Sequence, residues 1–240
     1  LILTVFAALP ARAEVDIQPV TSPGGITAWL VEEHSIPFVA LEIRFRGGAS
    51  LDAPGKRGAI NLMTGLLEEG AGDMDARAFS RETEALATNL SFDVSDDALS
   101  VSARFLTEDR EASIELLRAA VLEPRFDEDA VERVRGQVIS NIQSNQKDPN
   151  DIARQTFDKI AFGDHPYGSS LNGTLETVTG LTRDDLIGAH SAVLARDRIY
   201  VGAVGDITPE ELGKLLDTLL DDLPAKGAPM PPRADVDIPA

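Results

Sequence analysis

Short, largely apolar runs at ITAWLV (26–31) and FVALEIRF (38–45), and the pair LSFDV (90–94) and LSVSARFL (99–106), predict strands. In the last of these Leu99, Val101, Ala103 and Phe105 alternate with Ser100, Ser102 and Arg104, the pattern of a half-buried strand. The pair 90–94 and 99–106 predicts a hairpin, and RIYVGAVG (198–205) predicts one more strand. Elsewhere the period is helical. GAINLMTGLLEEGA (58–71) repeats its apolar residues at helical spacing and predicts a helix over 56–69, stopped by Gly70 and Gly72. Further helices are predicted over 75–88, over 108–122 behind a Thr107 cap, and over 127–146 behind an Asp127 cap. Asp148-Pro149 opens another, one starts near Thr182, and TPEE (208–211) opens a last one to 221 as a capping box with proline in the first turn.

Strands and helices are grouped rather than strictly alternating. The expectation is an α+β fold, with a mostly antiparallel sheet packed against helices. Two ends differ in texture. LILTVFAALPARAEV has an apolar run, a proline and a small-x-small stretch, which predicts a secretory signal cut after Ala13 and truncated at its start. The run is too short to span a bilayer. PAKGAPMPPRADVDIPA (224–240) is rich in Pro and Ala without periodicity and reads as a linker toward a further domain. The expected organisation is a signal over 1–13, a domain over 14–223 and a linker over 224–240, in a periplasmic or secreted protein.

Composition narrows the chemistry. A net charge of −18 with no basic run excludes nucleic acid as a partner. The absence of Cys excludes disulfides, thiolate zinc sites and Cys nucleophiles. His34, His165 and His190 are far apart, and no H-E-x-x-H or H-x-x-E-H string, nucleophile elbow, Walker loop or dinucleotide fingerprint occurs. His165, between Asp164 and Pro166, reads as a turn residue. The polar face of the 56–69 helix sets Asn61, Thr64, Gly65 and Glu68 at i, i+3, i+4 and i+7. That is the layout a helix uses to hold a metal and a general base, without the donors to do it.

Four stretches, in this order, carry a resemblance: VALEIRFRGGASLDAPGKRGAINLMTGLLEEG, LEPRFDEDAVERVRGQVISNI, AFGDHPYGSSLNGTLETVTGLTRDDLIGAHS and VGAVGDITPEEL. Together they resemble the N-terminal domain of the pitrilysin and insulinase-type zinc peptidases, which include mitochondrial processing peptidase, over residues 20 to 225. In active relatives the helix carries H-x-x-E-H, with two zinc ligands and a general base, and a later helix supplies a Glu as third ligand. The resemblance puts Asn61, Thr64 and Gly65 at the motif positions and Asn141, within ERVRGQVISNI (132–142), at the third ligand. An amide is a poor zinc donor, Gly offers none, and a Thr hydroxyl is no base near neutral pH. Hence no metal ligand and no cofactor are expected in this chain, and Asn61 and Asn141 are expected to hydrogen-bond to each other. Glu68 and Glu69 are helix-end carboxylates, ordinary as exposed surface.

Paired members of the family divide the work. The resemblance therefore implies a non-catalytic subunit in a heterodimer with an active paralogue, which carries the zinc. The peptide substrate would bind as an added strand along Leu90, Ser91, Phe92, Asp93, Val94 and Ser95. The alternative is a scaffold protein derived from the same family, with no part in proteolysis.

Overall fold

Strand pairing follows the alternation in the sequence. In this computed structural model, which describes residues 15–236, β3 (Phe38–Arg46) and β7 (Ala98–Leu106) pair antiparallel. The register sets Val39 opposite Phe105, Leu41 opposite Ala103, Ile43 opposite Val101 and Phe45 opposite Leu99, all buried. A slip of one residue would turn all eight toward water, so burial of one face fixes the register. β8 (Ile199–Gly205) lies on the other side of β3, antiparallel to it, and places Ala203 against Leu41. β2 (Thr27–Glu32) then pairs with β8 in parallel, the one parallel junction of the sheet. β1 (Gln18–Thr21) closes one edge and β6 (Asn89–Val94) the other, giving the order β1-β2-β8-β3-β7-β6. β4 (Gly70–Ala71) and β5 (Met74–Asp75) form a separate two-stranded ladder. The mostly antiparallel α+β architecture is the one expected.

Helices cover one face of this sheet. They are α1 (Ala59–Thr64), α2 (Ala76–Ala85), α3 (Arg110–Leu122), α4 (Glu128–Asn145), α5 (Pro149–Phe162), α6 (Leu175–Thr179), α7 (Arg183–Val193) and α8 (Pro209–Leu220). α8 starts as the sequence says. The Thr208 hydroxyl accepts from the Glu211 amide, the Glu211 carboxylate accepts from the Thr208 amide, and Leu212, Leu215, Leu216, Leu219 and Leu220 are buried. Each such leucine stabilises the fold by about 1.5–3 kcal/mol relative to an exposed one. α4 buries the expected stripe of Val131, Val134, Val138 and Ile142. α5 is capped by Asp148, whose carboxylate accepts from the amides of Asn150 and Asp151, with Pro149 in the first turn.

Several boundaries differ from expectation, each for a local reason. The helix expected over 56–69 is regular only from Ala59 to Thr64. Gly58 sits at φ +99°, which no helical residue adopts, and beyond Thr64 the amides of Leu66, Leu67 and Glu69 reach back three residues instead of four. Leu66 and Leu67 remain buried, so the apolar period outlasts the helix. α2 ends at Ala85, three residues early, and Ala87 then turns to φ +47°. α3 begins at Arg110 rather than behind Thr107, whose amide is held by the Pro37 carbonyl at 3.1 Å. Asp127 precedes α4, but its carboxylate accepts from Arg125 Nε at 2.7 Å and caps nothing. β1, α6 and the β4–β5 ladder were not expected. All are five residues or shorter, too short to show a period.

Residues 224–236 contain neither helix nor strand. They are tied to the body at several points. The Ala228 amide donates to the Ala192 carbonyl at 2.9 Å, and Arg198 donates to the Ala228 carbonyl at 2.7 Å. The expected signal over 1–13 lies outside the described residues.

Candidate functional site

α1 is set in place by a buried carboxylate upstream of it. Asp52 Oδ2 accepts from the Gly58 amide and Oδ1 from the Ile60 amide, both at 2.8 Å, so two donors that an α-helix leaves unpaired are satisfied from a distance. Arg57 lies beside Asp52, 3.5 Å away, and donates to Asp96 at 2.5 Å and to the carbonyls of Pro166 and Ser169. This hub joins the start of α1 to the β6–β7 turn and to the 3-10 turn Pro166–Gly168. Burial pushes the Asp52 carboxyl above its ordinary pKa, against the pull of the two amides and Arg57.

One face of α1 buries Ile60, Leu62 and Met63; the other carries the motif positions. Asn61 Nδ2 donates to Asn172 Oδ1 at 3.2 Å. The expected Asn61–Asn141 pair is therefore corrected: among the described residues no such bond occurs, because the loop carrying Asn172 reaches α1 first. A Cβ on Gly58 would lie 2.7 Å from the Asn172 carbonyl oxygen, a measure of how closely that loop approaches. Thr64 is buried, and its hydroxyl donates to the Ile60 carbonyl at 2.8 Å. Gly65 ends the helix at φ −67°, and a Cβ there would meet Val134 Cγ1 at 3.1 Å. Asn141 is exposed on the last turns of α4.

These residues do not suit zinc. One amide is engaged with another, the hydroxyl is spent on the backbone, the third position has no side chain, and the fourth is a neutral amide in solvent. No group of three or more His, Cys, Asp or Glu side chains able to hold a metal occurs among the described residues. Glu69 pairs with Arg133. Glu68 is exposed and has no cation beside it among the described residues; partial desolvation, then Glu69 and Asp93, push its pKa up.

The three histidines sit apart, each with its own local partner. His190 is on α7, where Nε2 donates to the Val121 carbonyl at 2.7 Å and burial holds its pKa below the ordinary value. His165 serves its turn, Nδ1 accepting from the Tyr167 amide and Nε2 donating to the Pro232 carbonyl. His34 is exposed and bonded to Asp206 at 2.7 Å, which raises its pKa.

Next to α1 runs β6, the edge strand expected over Leu90 to Ser95. The Ser95 amide donates to the Ala98 carbonyl. Counting back by twos, Asp93, Ser91 and Asn89 exchange hydrogen bonds with β7, while the main-chain groups of Leu90, Phe92 and Val94 point to the open side. Ser95 lies beyond the strand, and its carbonyl accepts from the Ala49 amide at 2.8 Å, which closes that end of the edge. Leu90 is buried, with Phe92 and Val94 packed on the core behind it. Ser91 and Asp93 face the opposite way, the Ser91 hydroxyl donating to Asp93 at 2.8 Å. At the other edge the register turns Pro19 outward, where it offers no N–H. Asp52, Arg57 and Asn172 escaped sequence reasoning, since nothing in their local context marks them and only the fold brings them to α1.

Comparison with known proteins follows this geometry. Residues 28–175 match the insulinase family of peptidases, peptidase family M16, and residues 180–240 match the peptidase M16 inactive domain. A Helicobacter pylori protein described as the non-peptidase homolog YmxG is 28% identical over 193 residues, 80% of this chain and 45% of its own length. An uncharacterized zinc protease of Mycobacterium leprae is 26% identical over 198 residues, 82% of this chain and 44% of its own. The beta subunit of the mitochondrial-processing peptidase of Saccharomyces cerevisiae is 20% identical over 209 residues, 87% and 45% of the two chains. The crystal structure of a peptidase M16 inactive domain from Pseudomonas fluorescens shares the fold, with a TM-score of 0.83 at 23% identity over 94% of this chain and 54% of that one. The chain thus spans about half the length of the curated relatives it matches.

Proposed function

This chain belongs to the insulinase-type peptidase family M16, and we propose that it is the non-catalytic subunit of a periplasmic zinc peptidase, completing the chamber and helping to hold peptide for a partner that bears H-x-x-E-H. One observation carries the reading. A short helix at the motif, the strand before it and the core beneath it are kept, while Asn61, Thr64, Gly65 and Asn141 provide neither a zinc ligand set nor a general base. A scaffold kept without its chemistry is expected where the shape itself still serves an assembly.

The β6 edge supports the peptide-holding part. An extended peptide laid beside it would exchange main-chain hydrogen bonds with Leu90, Phe92 and Val94, as edge-strand recognition requires. β6 carries no proline, in contrast to β1. The zinc belongs to the partner in this reading, and export by the signal expected at the N-terminus would put this chain in the periplasm, where the partner would have to be exported as well.

The test is reconstitution. The full-length protein is co-expressed with an H-x-x-E-H-bearing family member from the same organism, purified through a tag on this chain, and assayed on unstructured peptides. A one-to-one complex is expected, with hydrolysis that needs both chains and is abolished by a chelator. Failure to associate, or full activity of the partner alone, would sink the proposal and leave a scaffold role.

A further inference from the structure

The stretch after α8, expected as a linker, is fastened to the body at successive residues. The Pro224 carbonyl accepts from the Arg196 amide at 2.9 Å, and the Gly227 amide donates to the Asp197 carboxylate at 3.3 Å. Ala228 is held by both its main-chain groups, on Ala192 and on Arg198. Met230 reaches the end of β3, where a Cβ on Gly47 would meet its sulfur at 3.2 Å. The Pro232 carbonyl then accepts from His165 Nε2 at 3.0 Å. With proline at 224, 229, 231 and 232 the stretch can form no helix, so it lies extended and depends on contacts with the body.

Two residues are shaped for this contact. The Arg198 side chain is only 7% exposed. Its Nε donates to Asp197 at 2.9 Å and its Nη1 to the Ala192 carbonyl at 3.3 Å, while Nη2 is given to the Ala228 carbonyl. Lifting the stretch would leave a donor of this buried guanidinium without its acceptor, a costly state for a charged group. Gly227 is the other. A Cβ there would lie 2.5 Å from the Ala192 carbonyl oxygen and 2.6 Å from Arg198 Cζ, so a side chain fits only if the stretch rises off the body. Closeness of approach, and not a left-handed backbone, is what requires glycine at this position.

We propose that residues 224–232 are a latched strap, positioned by Arg198, which braces the corner where the β6 edge ends. Its landing points define that corner. Gly47, under Met230, leads into the 3-10 turn Gly48–Leu51, and the Ala49 amide of this turn closes the edge by bonding the Ser95 carbonyl. His165, under Pro232, packs on Tyr167 with ring centres 4.4 Å apart, and the Tyr167 hydroxyl donates to Asp97. Asp96, next to it, holds Arg57 at the start of α1. Strap, edge closure and α1 hub therefore meet in one place. Docked, the strap keeps the open edge ending at Val94; released, it frees the Ala49–Ser95 bond to open and the edge to lengthen. That this regulates peptide binding rests on the peptide-holding reading above, whereas the latch and the brace do not.

Trypsin and hydrogen exchange test the proposal on the full-length protein. Lys226 and Arg233, both exposed, are the trypsin sites of the strap, and the bond after Lys226 leads into the Gly227 amide that Asp197 holds. The unmodified protein should be cut there slowly. Gly227→Ala, which reaches no apolar side chain of the core, should speed this cleavage by about tenfold or more with circular dichroism unchanged. Arg198→Lys, which keeps the charge and loses the fork, should act in the same direction. In both variants the Ala49 amide should exchange about tenfold faster. Rapid cleavage of the unmodified protein after Lys226, or no acceleration in Gly227→Ala, would overturn the latch. Faster cleavage with Ala49 exchange unchanged would overturn the brace. Neither readout uses peptide or partner, so both stand or fall apart from the paired-peptidase reading.

Discussion

Replacing Asp52 by Ala removes the acceptor for two backbone amides at once, those of Gly58 and Ile60, each 2.8 Å from its carboxylate. Hydrogen bonds to a charged group contribute about 1.5–3 kcal/mol each, and buried donors left unpaired cost about as much. Against this, burial already disfavours the ionised carboxyl, as its raised pKa records, and that cost disappears with the side chain. The net loss is therefore expected at the low end of the sum, about 3 kcal/mol. For a domain of this size that lowers the melting midpoint by about 6–12 °C. Asp52→Asn keeps the shape and one acceptor, so its loss should be about half as large. Urea unfolding at constant slope measures both. The sign of the pH effect follows from the direction of the pKa. A carboxyl raised above 3.8 in the fold contributes stability that is full below that value and is lost as pH rises through the folded pKa. The deficit of Asp52→Ala should thus be larger in acid than at neutrality. A loss within about 0.5 kcal/mol would refute the capping role, since that is the range of an unremarkable surface change.

Other outcomes follow from single contacts. His34 and His190 should titrate on opposite sides of 6.5 by nuclear magnetic resonance, His34 above because of Asp206 and His190 below because it is buried. The His34 contribution to stability is then lost as pH rises through its folded pKa, and the His190 contribution is lost as pH falls through its own, so His34→Gln and His190→Gln should remove slopes of opposite sign. The Tyr167 hydroxyl is bonded to Asp97 and pushed up to about 12; Asp97→Asn should bring its phenolate absorbance back to lower pH. Gly65→His should destabilise the domain by crowding Val134, and Val134→Ala should relieve it. Chelator treatment of the purified protein should leave its thermal midpoint unchanged, since Asn61, Thr64, Gly65 and Asn141 are not a zinc set.

Legibility along the chain tracked the range of the interaction that decides each feature. β3 and β7 were readable because one buried face imposes period two over nine residues. The starts of α5, α7 and α8 were readable because Asp148, Thr182 and Thr208 act on amides two or three residues away. The shortening of the helix at Asn61 was not, since Gly58 takes its φ of +99° where the Asn172 loop crowds it.

By itself the sequence determined what this chain lacks and what it keeps: the side chains at the four motif positions are a property of composition, and no fold can turn Gly65 into a ligand. Only the tertiary structure decided where the remaining groups go. It gave the Asn61 amide to Asn172, 111 residues away, instead of to Asn141, and it drew the cap of α1 from Asp52. It also turned the apolar side of α5 outward, although the sequence there has the period of a helix that packs on its own core. Periodicity states that a face is apolar; which surface covers that face depends on contacts between residues far apart in the chain, and on contacts beyond it.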